Sequence, residues 1–272
     1  MLRARFDESY GANPAENYER FFVPSIGEPL AKDLVDRASI KPTDRVLDVA
    51  CGTGIVARLA AQDADAASDL AGLDPNAGML AVARRTAPPT PAISWYEASA
   101  EYMPLPDETF DVVLCQMGLQ FIADQPGALE EMQRVLADGG RLLLSVPGPL
   151  TGIFAVLAAA MERHIGPHAA AFVSQVFSLH DIDQLELLLQ DAGFSDVVVE
   201  ETIHELELPS PHEFLWQYIH STPLVGVVSQ TSAETQSAME REVLAAWTDF
   251  LQDDVLKYQL RLVVATGGKA AA

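Results

Sequence analysis

Two acids, two glycines and two cysteines carry most of the chemistry visible in this sequence. Asp48 lies in the short apolar run Val46-Leu47-Asp48-Val49. The small-residue turn Ala50-Cys51-Gly52-Thr53-Gly54 follows, and then the helix-like run Ile55-Val56-Ala57-Arg58-Leu59-Ala60. Strand, tight turn and helix in that order form the opening unit of a nucleotide-binding α/β domain. Gly52 and Gly54 let the backbone pass close to a ligand where a side chain would clash. The free N–H groups and positive end of the helix face whatever sits above the turn. Gly52-Thr53-Gly54-Ile55-Val56-Ala57 also satisfies the dinucleotide fingerprint, with alanine in third place. Asp48 argues against a dinucleotide, because a carboxylate just before the turn repels a pyrophosphate. It suits a ligand that carries an amino group and a sulfonium. A tight turn that binds nothing is the third reading.

These residues resemble the first motif of the class I S-adenosylmethionine-dependent methyltransferases, in which the acid precedes G-x-G. More narrowly they resemble the type 11 group, which includes the ubiquinone and menaquinone biosynthesis methyltransferases. The resemblance implies S-adenosylmethionine as cofactor, with Asp48, Ala50, Cys51, Gly52 and Gly54 lining its place. Ala50 stands where that family often has glycine. Asp74 ends the next apolar run, where an acid can accept from both ribose hydroxyls at once. It could equally be a helix N-cap, and the two roles are compatible. Pro75 and Asn76 open a helix through Met79, Leu80 and Ala83. In Ser99-Ala100-Glu101-Tyr102-Met103-Pro104 the family pattern is acid, alanine, glutamate, apolar residue and proline. Its acid holds the adenine amino group; here Ser99 occupies that place, so adenine recognition would rest on a hydroxyl or on backbone groups. By the same resemblance, segments such as Tyr18-Glu19-Arg20-Phe21-Phe22 fold over the cofactor as a lid, making Tyr18 a candidate. Ordinary packing explains Tyr18 as well.

The elements that must position these residues alternate from residue 45 to 148. The reading places strands at Asp69–Asp74, Ile93–Ser99, Thr109–Gln116 and Arg141–Val146. Between them lie a linker at Pro88-Pro89-Thr90-Pro91 and a helix from Pro126 to Leu136, stopped by Gly139-Gly140. That βαβαβ rhythm predicts a parallel sheet. The strand 109–116 is apolar on both faces, as a buried parallel strand should be. Before it, Pro29–Ala38 reads as an amphipathic helix. After Pro147 the reading gives helices at Ile153–Arg163, from a capping box at Ser178-Leu179-His180-Asp181 to Gly193, from Ser210-Pro211, and at Glu234–Leu251. Strands are expected at Val197–Leu208 and Gln259–Thr266. The resemblance implies a Rossmann-like, mostly parallel seven-stranded α/β sheet in the order 3-2-1-4-5-7-6, the last strand antiparallel, with helical cap insertions. The expected organisation is one methyltransferase domain over 1–272. It comprises an N-terminal lid (1–44), a cofactor-binding core (45–148) and cap insertions at 149–178 and 209–254. In that order the first and fourth strands are neighbours. Cys51 and Cys115 would then border one cofactor pocket, with Gln116 and Gln120 beside them.

The chain has 272 residues, 49% of them apolar, and 39 acids against 17 bases give a net charge of −22. Such a surface repels phosphate backbones and argues against nucleic acid as substrate. It reads either as a well-solvated acidic exterior or as adaptation to high salt. Met1–Tyr10 contains no apolar h-region, and no apolar run is long enough to span a bilayer, so a cytoplasmic location is expected. Two cysteines provide no disulfide framework and no metal-ligand spacing. His164 and His168 stand at helical spacing, but Gly166-Pro167 breaks it, and no metal is expected. His180 and His212 fall in first helical turns, His220 in a last turn, and His204 in a strand among acids. None is assigned as a base, and no catalytic residue is named. The reading is therefore a methyl transfer to a small, largely apolar molecule such as a quinone, lipid precursor or secondary metabolite. The alternatives are an NAD(P)-dependent reductase, which lacks its Tyr-x-x-x-Lys pair here, and a non-catalytic member of the fold that only binds the cofactor.

Overall fold

The computed structural model describes residues 10, 13–65, 68–253 and 255–271. The expectation for the extreme N-terminus lies, apart from Tyr10, outside the described residues. In chain order the helices are α1 (Pro14–Asn17), a π-helical stretch Tyr18–Gly27, α2 (Glu28–Ala38), α3 (Ile55–Asp63), α4 (Ala77–Thr86) and α5 (Gln125–Val135). They continue with α6 (Gly152–His164), α7 (Pro167–Val176), α8 (Ile182–Asp191), α9 (Pro211–Ser221), α10 (Leu224–Val228) and α11 (Ala233–Trp247). The strands are β1 (Val46–Val49), β2 (Leu70–Asp74), β3 (Ile93–Glu97), β4 (Phe110–Gln116), β5 (Leu136–Pro147), β6 (Ser195–Leu208), the two-residue β7 (Leu251–Gln252) and β8 (Val255–Gly268).

The chain divides into two compact units. One comprises Glu28–Gly148, Leu179–Thr202 and Arg261–Ala272. The sheet runs β3-β2-β1-β4-β5-β8-β6, with β7 paired to β8. β1 to β5 pair in parallel, and β8 returns antiparallel to β5. The order expected from the resemblance is thus found, apart from the short added strand. β1 and β2 are buried at every position, as strands covered on both faces must be. Alternation along the strands separates two cores. Leu47, Val49, Val113, Cys115, Leu142 and Leu144 face α5 and α8. Val46, Val112, Leu114 and Leu143 face α2 and α3. Arg45 grips Asp111 through Nε and a second nitrogen at 3.0 and 2.9 Å, tying the start of β1 to β4.

Several local expectations are corrected. Gly139-Gly140 does not stop a helix: α5 ends at Val135, and the pair lies inside β5, where the register against β4 shifts between Phe110 and Val112. Gly139 takes φ +73°, the conformation such an irregularity needs. The last turn of α5 is closed instead by Lys269, whose Nζ donates to the carbonyls of Gln133 and Leu136 at 3.2 and 2.8 Å. α8 is capped by Asp181, which accepts from the Gln184 N–H, rather than by Ser178. α11 ends at Trp247, with a 3-10 turn Thr248–Phe250 beyond it.

The second unit comprises Met1–Gly27, Pro149–Ser178 and Ile203–Leu260. Its core is aromatic. Phe154 sits 5.3 Å from Phe177, 5.2 Å from Tyr218 and 5.3 Å from Tyr258, centroid to centroid. The Trp247 indole N–H donates to the Ile153 carbonyl at 3.0 Å. Buried Glu240 accepts from the Trp216 indole at 2.9 Å and lies 2.7 Å from His212. α6 ends at His164 and α7 starts at Pro167, so the expected break between His164 and His168 is present. His164 meets Glu242 at 2.8 Å, and His220 is buried with its ring stacked 4.3 Å from Tyr10. No three metal-ligating side chains converge among the described residues.

Candidate cofactor site

The glycine turn is held from both sides by acids. Asp48 is 1% exposed and points toward α3, where its Oδ2 accepts the Ala57 N–H at 3.0 Å. Asp74, at the end of β2, accepts the Gly52 N–H at 2.9 Å through Oδ2 and the Asn76 N–H at 2.8 Å through Oδ1. Asp74 is therefore not the cap of α4. That role belongs to Asn76, whose side chain accepts from Gly78 and Met79. Within the turn the Gly54 N–H donates to the Cys51 carbonyl at 2.8 Å. Three amides of the turn and the first turn of α3, those of Gly52, Gly54 and Ala57, are thus already bonded, two of them to side-chain acids. The arrangement disfavours an anion at this turn and suits a cationic ligand. Burial pushes the Asp48 carboxyl up to about 8, with Asp74 adding to the rise, and burial raises Asp74 as well.

Gly54 has a different reason for being glycine than ligand approach alone. Its φ is +83°, and a Cβ there would lie 2.5 Å from Cη2 of Trp95. Gly72, paired with Trp95 across β2 and β3, would collide with the same indole. Trp95 therefore wedges beneath the turn. Sequence reading missed it, although a glycine inside the β2 pattern is the signal of a close approach.

Across the turn lies the end of β4. Asp48 pairs with Leu114, so β1 and β4 are neighbours as the expected order requires. Beyond Gln116 the chain turns sharply at Met117, whose φ is +49° and whose N–H donates to the Ser145 carbonyl at 2.7 Å. A Cβ on Gly118 would meet the Ala50 methyl at 2.6 Å and Cys115 Sγ at 3.0 Å. Ala50 itself holds φ +55°. Two non-glycine residues in the left-handed region thus end two adjacent strands, the kind of strain that clusters at ligand sites. The Gln120 amide nitrogen donates to the Met117 carbonyl at 3.0 Å, while its oxygen has no donor among the described residues. The buried hydroxyls of Thr53 and Ser145 likewise have no partner among the described residues. These unmatched groups, with two buried acids, fit a polar cofactor bearing positive charge.

Cys51 and Cys115 are both buried thiols. Cys51 lies against Gly72, and Cys115 lies under Gly118 with no exposed surface. Burial pushes Cys115 up to about 12 and Cys51 well above the ordinary thiol range, with Asp48 adding to both. Pro75 is exposed and Met79 half-buried at the start of α4. Beyond β3, the Ser99 hydroxyl donates to Glu101, holding that carboxyl below its usual range. Ala100 is buried, and Tyr102 is 82% exposed. The following loop is pinned from α5: Glu131 accepts the Met103 N–H at 2.8 Å, and Arg134 donates to the Met103 and Leu105 carbonyls. Tyr18 belongs to the other unit, its ring stacked on Phe22 at 4.6 Å.

Residues 47–144 match a family described as a methyltransferase domain. The chain is 34% identical over 174 residues to a demethylmenaquinone methyltransferase of Thermus thermophilus, covering 59% of this chain and 79% of that protein. It is 32% identical to the protein of the same name from Symbiobacterium thermophilum, over 66% of this chain and 81% of that one. Among solved structures, the Haemonchus contortus phosphoethanolamine N-methyltransferase 2 with bound S-adenosylmethionine aligns at TM-score 0.60. Identity is 19%, over 99% of this chain and 60% of that one. A Bacillus halodurans protein described as a putative methyltransferase aligns at TM-score 0.58 and 19% identity, over 89% of this chain and 99% of that one. Acids rather than open amides at the glycine turn, and relatives of this likeness, lead to one assignment. The chain belongs to the class I S-adenosylmethionine-dependent methyltransferases, within the type 11 group.

Proposed function

We propose that the enzyme methylates a small, apolar, quinone-type acceptor in its reduced form, working in the cytoplasm. The observation that carries this reading is the likeness to two demethylmenaquinone methyltransferases over about four-fifths of their length. No helix among the described residues is long and apolar enough to cross a membrane.

The cofactor supplies a methyl group on a sulfonium, and in-line displacement transfers it once the acceptor is held behind that methyl. Such a reaction draws most of its acceleration from orientation and from keeping water out. The protein residues then have positioning roles. Asp48 would face the positive charge and Asp74 would accept from the ribose. The backbone at Ala50, Gly52 and Gln116 would form the floor, and Ser99, Ala100 and Glu101 would border the base. Gln120, with its amide oxygen unmatched, is placed to accept from a polar group of cofactor or acceptor. Tyr18 is a further candidate contact, tested by comparing cofactor affinity in Tyr18→Phe and Tyr18→Ala.

The test is methyl transfer from isotopically labelled S-adenosylmethionine to a panel of reduced naphthoquinones and benzoquinones, with phenols and amines as controls. The expected product is a ring-methylated quinone that carries the label. Label entering only amines or simple hydroxyls would contradict the quinone reading while leaving the enzyme a methyltransferase.

A further inference from the structure

The acids of β1 and its neighbours are treated differently at the two ends of the sheet. At the entry edge each has an arginine: Asp111 is bridged by Arg45, and Asp44 by Arg141 at 2.8 Å. At the exit edge Asp48 is almost fully buried, accepts the Ala57 N–H, and forms no ion pair among the described residues. Among the described residues four ionisable groups surround it, each from a different element. Asp74 comes from β2, Cys51 from the turn, Cys115 from β4 and Arg58 from α3. The first is an acid and the next two are thiols held protonated by burial. Arg58, the one cation of the set, directs a guanidinium nitrogen to the Thr53 carbonyl at 2.6 Å and the Thr86 hydroxyl at 2.7 Å.

An ionised carboxylate in such surroundings is costly, and two things can relieve it: a proton, or a positive ligand. Through its sulfonium, S-adenosylmethionine carries one more positive charge than the sulfide left after methyl transfer, which has the same ammonium and carboxylate. We propose that Asp48 reads this charge. It holds a proton in the cofactor-free protein, releases it to solvent when the methyl donor binds, and so makes the site prefer the donor over its demethylated product. This rests on the glycine turn being the cofactor site. The balance is simple: the carboxylic acid loses one proton to the buffer, the carboxylate faces the cation, and no covalent bond to the cofactor forms or breaks. The burial-raised carboxyl of Asp48 places the exchange in the neutral range.

The test is titration calorimetry of S-adenosylmethionine and S-adenosylhomocysteine into the full chain between pH 6 and 8. Phosphate and Tris, whose ionisation enthalpies differ, then give the number of protons released. For the donor, roughly one proton should leave, and its affinity should tighten by up to about tenfold for each pH unit before levelling. The demethylated product should release fewer protons and show a shallower slope. Asp48→Asn keeps shape and an acceptor for Ala57, and should abolish the release and shrink the preference for the donor. If that variant does not fold, the proton count of the native chain decides alone. Donor binding without proton release, or a release that survives in Asp48→Asn, would overturn the proposal. A chain that binds neither ligand would overturn the cofactor site itself.

Discussion

Asp74 shows how a residue can be found in sequence while its work is not. Its place at the end of β2 was legible from the apolar run before it. Its bond to Gly52, made across the sheet edge, was not, since no local pattern links the two. Replacing Asp74 with Ser should therefore do more than weaken ribose binding. Two backbone donors lose a carboxylate, at a cost of roughly 1–3 kcal/mol, so the cofactor-free protein should melt lower and bind S-adenosylmethionine about tenfold more weakly. A thermal melt and a calorimetric titration check both; an unchanged melt would show that the Gly52 tie is dispensable. Asp48 leads to a pH prediction of opposite sense to that of ordinary paired acids. Its folded carboxyl is raised to about 8, so the folded state holds a proton that the unfolded chain gives up. Stability from this group is complete below the ordinary carboxylate range and is lost as pH rises to about 8. Without cofactor, Asp48→Asn should gain melting temperature relative to the native chain as pH climbs from 5 to 8.5. A difference that stays constant with pH would mean Asp48 is ionised throughout.

At the scale of elements, the loops that follow the paired strands β1 and β4 press on each other through one methyl group. Ala50 holds a left-handed backbone at a cost of about 1–2 kcal/mol, and Gly118 leaves room for its Cβ. Ala50→Gly should be neutral or stabilising by up to ~1 kcal/mol. Gly118→Ala should destabilise by about 1–3 kcal/mol through overpacking, and less so when Ala50 is already glycine. Denaturant melts of the four-member cycle measure the coupling; strict additivity would mean the two loops do not press on each other. The βαβ rhythm and the order of the sheet were legible because buried parallel strands and their glycine turns leave plain marks. The insertions were less so. α10 has only five residues, and Tyr18–Gly27, read from sequence as a lid segment with no stated secondary structure, winds as a π-helix around Pro24. Gly139-Gly140 misled because a glycine pair marks a strand irregularity as readily as a helix end.

For the whole molecule, charge is the dominant unassigned property. Bases such as Arg37, Arg45, Arg134, Arg141, Arg163, Lys257 and Arg261 are engaged in ion pairs, so the excess among 39 acids is left to mutual repulsion. Exposed pairs contribute little, and salt screens the repulsion more than it harms them. Melting temperature should rise from low salt toward 1 M; a continued rise beyond would mark adaptation to high salt, and a flat or falling profile would contradict the repulsion account. The family was legible from the glycine turn and its two acids, whereas the acceptor was not, because apolar insertion helices carry no motif. The most direct check of the central claim is a side-by-side calorimetric titration with S-adenosylmethionine, NADH and NADPH. With the Gly52 and Ala57 amides bonded to the acids Asp74 and Asp48, saturable binding is expected for S-adenosylmethionine and none for either nicotinamide. Nicotinamide binding as tight as that of S-adenosylmethionine would contradict the account.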